Sequence, residues 1–360
     1  MHILHVVGAR PNFMKAAPVL RALTAHPDVR QTLVHTGQHY DASMSDVFFR
    51  QLEMPQADYN LGVGSGTHAQ QTAAVMQAFE PVVLERKPDL VLVYGDVNST
   101  LAAALICSKL GVRIGHVEAG LRSRDRTMPE EINRLVTDQL SDFLFTPSSD
   151  GDENLLSEGI DRSKIHLVGN VMIDTLVRLL PQTDANLPES VSAPYALVTL
   201  HRPSNVDDLP WLRDLLDTLS HLSSQFSVIF PVHPRTRQRL NDLGSDHTNA
   251  RLRLLDPLPY LEFIGLQRRA AMVITDSGGI QEETTFLGIP CLTVRENTER
   301  PITISLGTNQ LVGRDLKKLR AAAEEIFRRD SPTSEHKPVP FWDGHAAQRI
   351  ARIIVRGTTD

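Results

Sequence analysis

The sequence predicts an α/β protein made of two Rossmann-like, doubly wound domains facing a cleft, and three observations carry this. Short apolar runs alternate with amphipathic stretches from end to end, the pattern of crossover units that feed a parallel sheet. The pattern closes at Gly169-Asn170 and then restarts. A length of 360 residues suits two domains of ordinary size.

In the first half, strands are expected at 3–7, 32–35, 90–94, 114–117 and 143–145, with helices at 13–24, 66–86, 100–110 and 130–140 between them. In the second half, strands are expected at 196–200, 228–232, 252–255, 273–275 and 291–294. Residues 181–194 are rich in Pro, Asp, Asn and Ser and read as a loop. The expected division is 1–169, 170–340 and a terminal segment 341–360. In that segment Phe341-Trp342-Asp343-Gly344-His345 follows a proline-rich loop at 331–340, and a last helix runs through Arg356 to dock on the first domain. Ligands of open parallel sheets bind beyond the carboxyl ends of the strands, so the substrate is expected in the cleft, with a hinge near Gly169-Asn170.

Composition narrows the partner. A net charge of -6, with both signs spread along the chain, offers no basic stripe for nucleic acid. The chain starts Met1-His2-Ile3-Leu4-His5-Val6-Val7, a strand rather than a cationic leader, and no apolar run approaches the roughly 18 residues of a membrane span. A cytosolic protein with a small partner and no membrane insertion is expected. Cys107 and Cys291 lie far apart in apolar stretches and read as buried thiols. Neither cysteine nor histidine spacing supplies a zinc site.

The most informative stretch is Asp276-Ser277-Gly278-Gly279-Ile280-Gln281-Glu282-Glu283, directly after the apolar run 272–275. It reads as a strand ending in a glycine turn that opens a helix. The N–H groups of Ser277, Gly278 and Gly279 should then face an anion. Glu282 and Glu283 are expected in the first helical turn, where one could accept hydrogen bonds from ribose hydroxyls. A nucleotide with its phosphates on the turn is implied.

Other polar residues collect where strands end. Arg10 and Lys15, in the turn after the first strand, suit a diphosphate or are simply two exposed cations. Asp96 follows Gly95 ahead of a helix, a position for an N-cap or an acid. Glu118 sits among apolar and small residues, where partial burial would fit it for proton transfer. Glu130 and Glu131 follow Pro129 at a helix start, where carboxylates also suit the helix dipole. His201 and His233 each close a strand in the second half, and Arg295 and Arg300 follow the strand next to the glycine turn.

Taken in order, these segments resemble the non-hydrolysing UDP-N-acetylglucosamine 2-epimerases. The likeness runs from Gly8-Ala9-Arg10-Pro11 through Thr36-Gly37-Gln38-His39, Tyr94-Gly95-Asp96, His116-Val117-Glu118-Ala119-Gly120-Leu121-Arg122, Pro129-Glu130-Glu131 and Thr298-Glu299-Arg300-Pro301 to Gly307-Thr308-Asn309. The resemblance implies a fold of the glycosyltransferase-B type, a homodimer, and inversion at carbon 2 of a UDP-sugar without a cofactor. The implied route is anti elimination of UDP to a 2-acetamidoglucal, then readdition. By the same resemblance Asp96, Glu118, Glu130 and His201 are catalytic, with His201 on the diphosphate together with Ser277, Gly278 and Gly279. Glu283 falls on the ribose, Phe263 near the uracil, and Arg10, Lys15 and Arg300 are cationic contacts. His233 matches a position in the cleft. Glu131, beside Glu130, is the ambiguous carry-over.

Two stretches depart from the pattern. Members activated by a second substrate molecule carry a Leu-Asp-Gln type continuation after the Gln-His pair, whereas this chain has Tyr40-Asp41-Ala42-Ser43-Met44-Ser45. Gly64-Ser65-Gly66-Thr67-His68 also replaces a differently built loop. Both argue against such activation. The Tyr-Asp form also occurs in enzymes acting on UDP-2,3-diacetamido-glucuronic acid, which leaves two substrates open, though Glu299-Arg300-Pro301 is closer to the N-acetylglucosamine group.

Overall fold

The computed structural model describes residues 1–37, 51–183, 194–244, 251–328 and 337–357, with Arg10 described by its backbone alone. The Gln38-His39 pair, the Tyr40 to Ser45 departure, and most of the loops expected at 181–194 and 331–340 lie outside the described residues. The chain forms two compact units, one of Met1–Thr175 with Pro340–Asp360 and one of Leu176–Val339.

The first unit is a sheet of β1 (His2–Val7), β2 (Arg30–His35), β3 (Tyr59–Asn60), β4 (Leu90–Tyr94), β5 (Arg113–Val117), β6 (Phe143–Thr146) and β7 (Ile165–Leu167). Its helices are α1 (Arg10–Thr24), α2 (His68–Arg86), α3 (Asn98–Lys109), α4 (Pro129–Leu140), α5 (Ser149–Ser157) and α6 (Val171–Leu179). The strand order is β3-β2-β1-β4-β5-β6-β7, and every pairing is parallel. Every residue of β1 and β4 is buried, as strands covered by helices on both faces must be. Alternate residues feed opposite layers: Leu4, Val6, Val91 and Val93 pack with Phe79, Val82 and Val83 of α2 and with Ala103, Ile106 and Cys107 of α3. The order reverses between β1 and β4, and that switch is where a doubly wound sheet opens a crevice beyond its strand ends.

The second unit repeats the scheme with β8 (Tyr195–Thr199), β9 (Ser227–Pro231), β10 (Leu252–Leu255), β11 (Met272–Thr275), β12 (Cys291–Thr293) and β13 (Asn309–Leu311) in the order β10-β9-β8-β11-β12-β13. All pairings are again parallel. Its helices are α7 (Pro203–Val206), α8 (Leu209–Ser223), α9 (Pro234–Leu243), α10 (Tyr260–Arg269), α11 (Gly278–Leu287), α12 (Ile302–Ser305) and α13 (Leu316–Arg328). The larger core layer joins Leu212, Leu215, Leu216 and Leu219 of α8 to Ala196, Val198, Phe230 and Ile274 of the sheet. Here the order reverses between β8 and β11.

The last helix, α14 (Ala346–Arg356), belongs to the first unit. It has no side-chain cap of its own. The buried Asp174 carboxylate of α6 accepts its first N–H groups instead, from Ala346 at 3.1 Å and Ala347 at 2.7 Å. Trp342 donates its indole N–H to the Pro147 carbonyl at 2.9 Å. The units divide between Thr175 and Leu176, inside α6, beyond the division expected at Gly169. Among the described residues no helix is long and apolar enough to cross a membrane.

Candidate active site

In the first unit the switch between β1 and β4 holds a buried ion pair. Lys15, on α1, meets Glu118, the residue directly after β5, in a close contact between its ammonium and Oε2. Both side chains are almost fully buried, so each charge needs the other. Glu118 has a φ of 75°, unusual for a residue with a side chain and a mark of local strain. Gly95, after β4, makes room for the pair: a Cβ there would lie 2.6 Å from Lys15 Nζ and 3.2 Å from Glu118 Oε2. Asn12 fixes the preceding turn, accepting the N–H groups of Gly8 at 3.0 Å and Ala9 at 3.1 Å and donating to the Tyr94 carbonyl at 2.7 Å. Lys15, expected at a diphosphate, is thus committed to a carboxylate within this unit.

The strand-end carboxylates are held by different means. Asp96 Oδ2 is gripped by two nitrogens of Arg134, at 2.9 and 2.7 Å, and Asn133 donates to its carbonyl at 2.8 Å. Beneath Glu118, the fully buried Asp138 pairs with His116 at 2.6 Å and with Arg122 at 2.7 Å. Burial alone would push the Asp138 carboxyl up, but these two partners outweigh it and hold the group below its ordinary value. Asp138 also accepts the Gly120 N–H at 3.2 Å, which ties down the turn carrying Glu118.

Glu130 and Glu131 part company. Glu131 accepts from Ser123 N at 2.9 Å, Ser123 Oγ at 3.0 Å and Arg124 N at 2.8 Å, and pairs with Arg134 at 2.6 Å. Glu130, half-buried on the same first turn of α4, takes part in none of these contacts.

In the second unit, Asp276 follows β11 and bridges the switch to β8. It is fully buried and accepts the N–H of His201 at 3.1 Å, the N–H of Arg202 at 2.9 Å and the side-chain amide of Asn205 at 3.1 Å. Its Oδ1 lies 3.2 Å from His201 Nδ1. Burial pushes the Asp276 carboxyl up, and His201 and the N–H donors more than reverse it. Their ring centroids 5.7 Å apart, His201 and His233 sit side by side. His233 caps α9, its Nδ1 accepting the Arg235 N–H at 3.2 Å.

The glycine turn carries an arginine on its face. A Cβ on Gly278 would fall 2.5 Å from Arg300 Nη1 and 3.3 Å from Glu299 Oε1, so only glycine lets the guanidinium lie there. Arg300 pairs with Glu282 at 2.7 Å and with Glu299 at 3.0 Å. Glu283 is buried and accepts the Tyr260 hydroxyl at 2.6 Å. Phe263, also on α10, is half-buried against Tyr195, Leu197, Leu266 and Ile280.

Two expectations need correction. Ser277 does not offer its N–H outward, because Thr275 Oγ1 accepts it at 3.0 Å; Gly278 and Gly279 supply the first-turn N–H groups that lack an intrahelical carbonyl. No acidic residue lies in the first turn of α11, so Glu282 and Glu283 belong to its buried second turn. Arg134, Arg202, Asp276 and Glu299 take part in these contacts and were not among the expected site residues. The signal for Arg202 was its place next to His201 at a strand end, the criterion that selected the histidine. Cys107 and Cys291 are buried thiols, pushed up by burial to about 12 and about 11. Among the described residues no three His, Cys, Asp or Glu side chains converge as metal ligands.

Comparison with known proteins gives a consistent picture. The profile of a family described as UDP-N-acetylglucosamine 2-epimerase matches residues 21–355. The chain is similar to a UDP-N-acetylglucosamine 2-epimerase of Methanococcus maripaludis, 42% identical over 363 residues and 97% of each chain. It is also similar to a UDP-2,3-diacetamido-2,3-dideoxy-D-glucuronate 2-epimerase of Pseudomonas aeruginosa, 41% identical over 99% of this chain and 100% of that one. Among solved structures, the Methanocaldococcus jannaschii UDP-GlcNAc 2-epimerase in complex with UDP-GlcNAc and UDP superposes with a TM-score of 0.90 at 40% identity, covering 99% of this chain and 100% of that one.

Proposed function

This chain belongs to the UDP-N-acetylglucosamine 2-epimerase family, and we propose that it interconverts UDP-N-acetylglucosamine and UDP-N-acetylmannosamine by elimination and readdition of UDP. The observation that carries the proposal is the glycine turn with the Arg300 guanidinium laid across Gly278, a seat for a departing diphosphate. Carbon 2 has no adjacent carbonyl to acidify its proton, so the electron pair released there must leave with UDP. The base takes the proton, the C2–H pair becomes the C1=C2 bond, and the C1–O pair goes to the β-phosphate. Readdition reverses these steps after C2 is protonated from the other face. The sugar returns at its original oxidation level, so the net reaction consumes no redox cofactor.

In this proposal Asp96, Glu118 and Glu130 handle the protons. His201, Gly278, Gly279 and Arg300 hold the diphosphate, where preorganised donors count most. His233 serves the same end of the nucleotide, and Ser277 frames the turn. Phe263 lies near the uracil, and Glu283, oriented by Tyr260, receives the ribose. Arg10 and Lys15 complete the cations, Lys15 acting through Glu118. A cytosolic homodimer is part of the same proposal, and light scattering tests the dimer.

Incubation with UDP-N-acetylglucosamine in heavy water is the test. The expected outcome is a reversible mixture of both epimers with deuterium at carbon 2; free N-acetylmannosamine and UDP as main products would defeat the proposal. The Pseudomonas relative, as similar as the N-acetylglucosamine enzymes, favours a second reading in which the substrate is a diacetamido-uronate. A kcat/KM for that substrate well above the value for UDP-N-acetylglucosamine would select it.

A further inference from the structure

Three guanidiniums gather around Glu299 beside the glycine turn. Arg295 bonds its Oε2 at 2.7 Å, Arg300 its Oε1 at 3.0 Å, and Arg202 stands 3.5 Å from that same Oε1. The first two distances are those of charge-assisted hydrogen bonds, whereas the third is longer than is usual for one. Arg202 is therefore the loosest of the three. Its backbone is not loose at all: the N–H is fixed on Asp276 at 2.9 Å, the residue that immediately precedes the turn. Burial, then Arg295, holds the Arg202 guanidinium below its ordinary value, with Glu299 and Asp276 opposing. The cation is thus under-compensated where it stands, and an anion arriving at the turn would relieve it.

We propose that Arg202 is a further ligand of the nucleotide diphosphate, able to leave its long contact with Glu299 and turn its planar fork to the phosphate oxygens of UDP on Gly278 and Gly279. This rests on the reading of the turn as a diphosphate site. Glu299 Oε1, already shared with Arg300, keeps both guanidiniums at the turn and releases Arg202 at the cost of a long contact. The fork geometry matters, because a lysine brings the charge without two parallel donors. Arg202 would make contact with the leaving group alone, so its effect follows the phosphates and not the base.

The test is calorimetric titration of UDP and of uridine into wild type, Arg202→Gln and Arg202→Lys, each checked for an unchanged melting temperature. The expected result is a UDP Kd weakened roughly tenfold in Arg202→Gln and by less in Arg202→Lys, with uridine binding unchanged in both. Equal UDP affinity in wild type and Arg202→Gln would overturn the proposal while leaving the UDP site intact. Equal weakening of uridine and UDP would overturn it too, by making Arg202 a structural support. Failure of the wild type to bind UDP would bring down the reading of the turn and this proposal together. Should Arg202→Gln melt early, inorganic pyrophosphate competing for UDP on Arg202→Lys gives the same comparison, and unchanged competition counts against the role.

Discussion

Glu131 and Glu130 are neighbours in the first turn of α4 with opposite employment: Glu131 is 2% exposed and clasps Ser123, Arg124 and Arg134, while Glu130 stands outside that clasp. Burial pushes the Glu131 carboxyl up, but the Ser123 and Arg124 N–H groups and Arg134 outweigh it and hold it low. A carboxyl whose folded pKa is depressed adds stability that is present above its unfolded value and lost as pH falls through the folded one. Glu131→Gln should therefore lower the melting temperature at neutral pH, by about 1–3 kcal/mol of stability, and flatten its fall in acid. Glu130→Gln should leave melting unchanged and cut turnover by roughly 10²–10⁴-fold. Paired melts and epimerase assays check this, and the reverse pattern would move the acid-base role to Glu131.

Gly95 is the space the Lys15–Glu118 pair occupies. A methyl group there, 2.6 Å from Lys15 Nζ and 3.2 Å from Glu118 Oε2, must displace the ammonium from its present place beside the carboxylate. Gly95→Ala is expected to reduce kcat by at least about tenfold, since misplacing a reacting group by an ångström is costly. Gly111→Ala is the control: its φ of +69° is comparable, but nothing lies within 4 Å of the added atom. Both variants pay backbone strain of about 1–2 kcal/mol. Wild-type kcat in Gly95→Ala would remove the pair from the reaction.

Much of this was legible because apolar runs in a doubly wound sheet are unambiguous: the strands expected at 90–94 and 252–255 match β4 and β10 residue for residue. The missed strands are Tyr59–Asn60, Ile165–Leu167 and Asn309–Leu311. Each is two or three residues long at a sheet edge, and its conformation comes from the neighbouring strand. Strand ends located Asp96, Glu118, His201 and the glycine turn. What they could not give was partnership across the chain. Glu131 differs from Glu130 because the 123–124 loop folds back onto it and Arg134 pairs with it, and Gly278 is explained by an arginine 22 positions later.

His5 supplies a pH-dependent cost with a definite sign. It is fully buried in β1, bonded to the Tyr94 hydroxyl at 2.7 Å and facing Gln31, and burial drives it from its ordinary 6.5 down to about 3. Between those values the unfolded chain binds a proton that the folded one refuses, so stability falls as pH drops. The slope is about 1.4 kcal/mol per pH unit, or roughly 2 kcal/mol between pH 6.5 and 5. His5→Leu leaves the Tyr94 hydroxyl short of a partner, so it should be less stable at pH 7 yet decline less steeply in acid. Urea unfolding of both proteins at pH 5 and 7 measures the difference; parallel declines would mean that His5 protonates in the fold.

Gly278 tests whether the turn works through Arg300. An added methyl group would sit 2.5 Å from Arg300 Nη1. The guanidinium is anchored on Glu282 and Glu299 and cannot retreat without losing a buried ion pair. That retreat moves the cation away from the first-turn N–H groups, and both halves of the anion seat weaken together. Gly278→Ala is expected to raise the UDP Kd by roughly tenfold or more, with a melting temperature lowered only modestly. Arg300→Lys should match it for UDP, because it keeps the charge and loses the fork. The double variant should then be scarcely weaker than either single one, since both remove one arrangement. Fully additive losses in UDP affinity would separate the glycine from the arginine and assign Gly278 to the backbone contact alone.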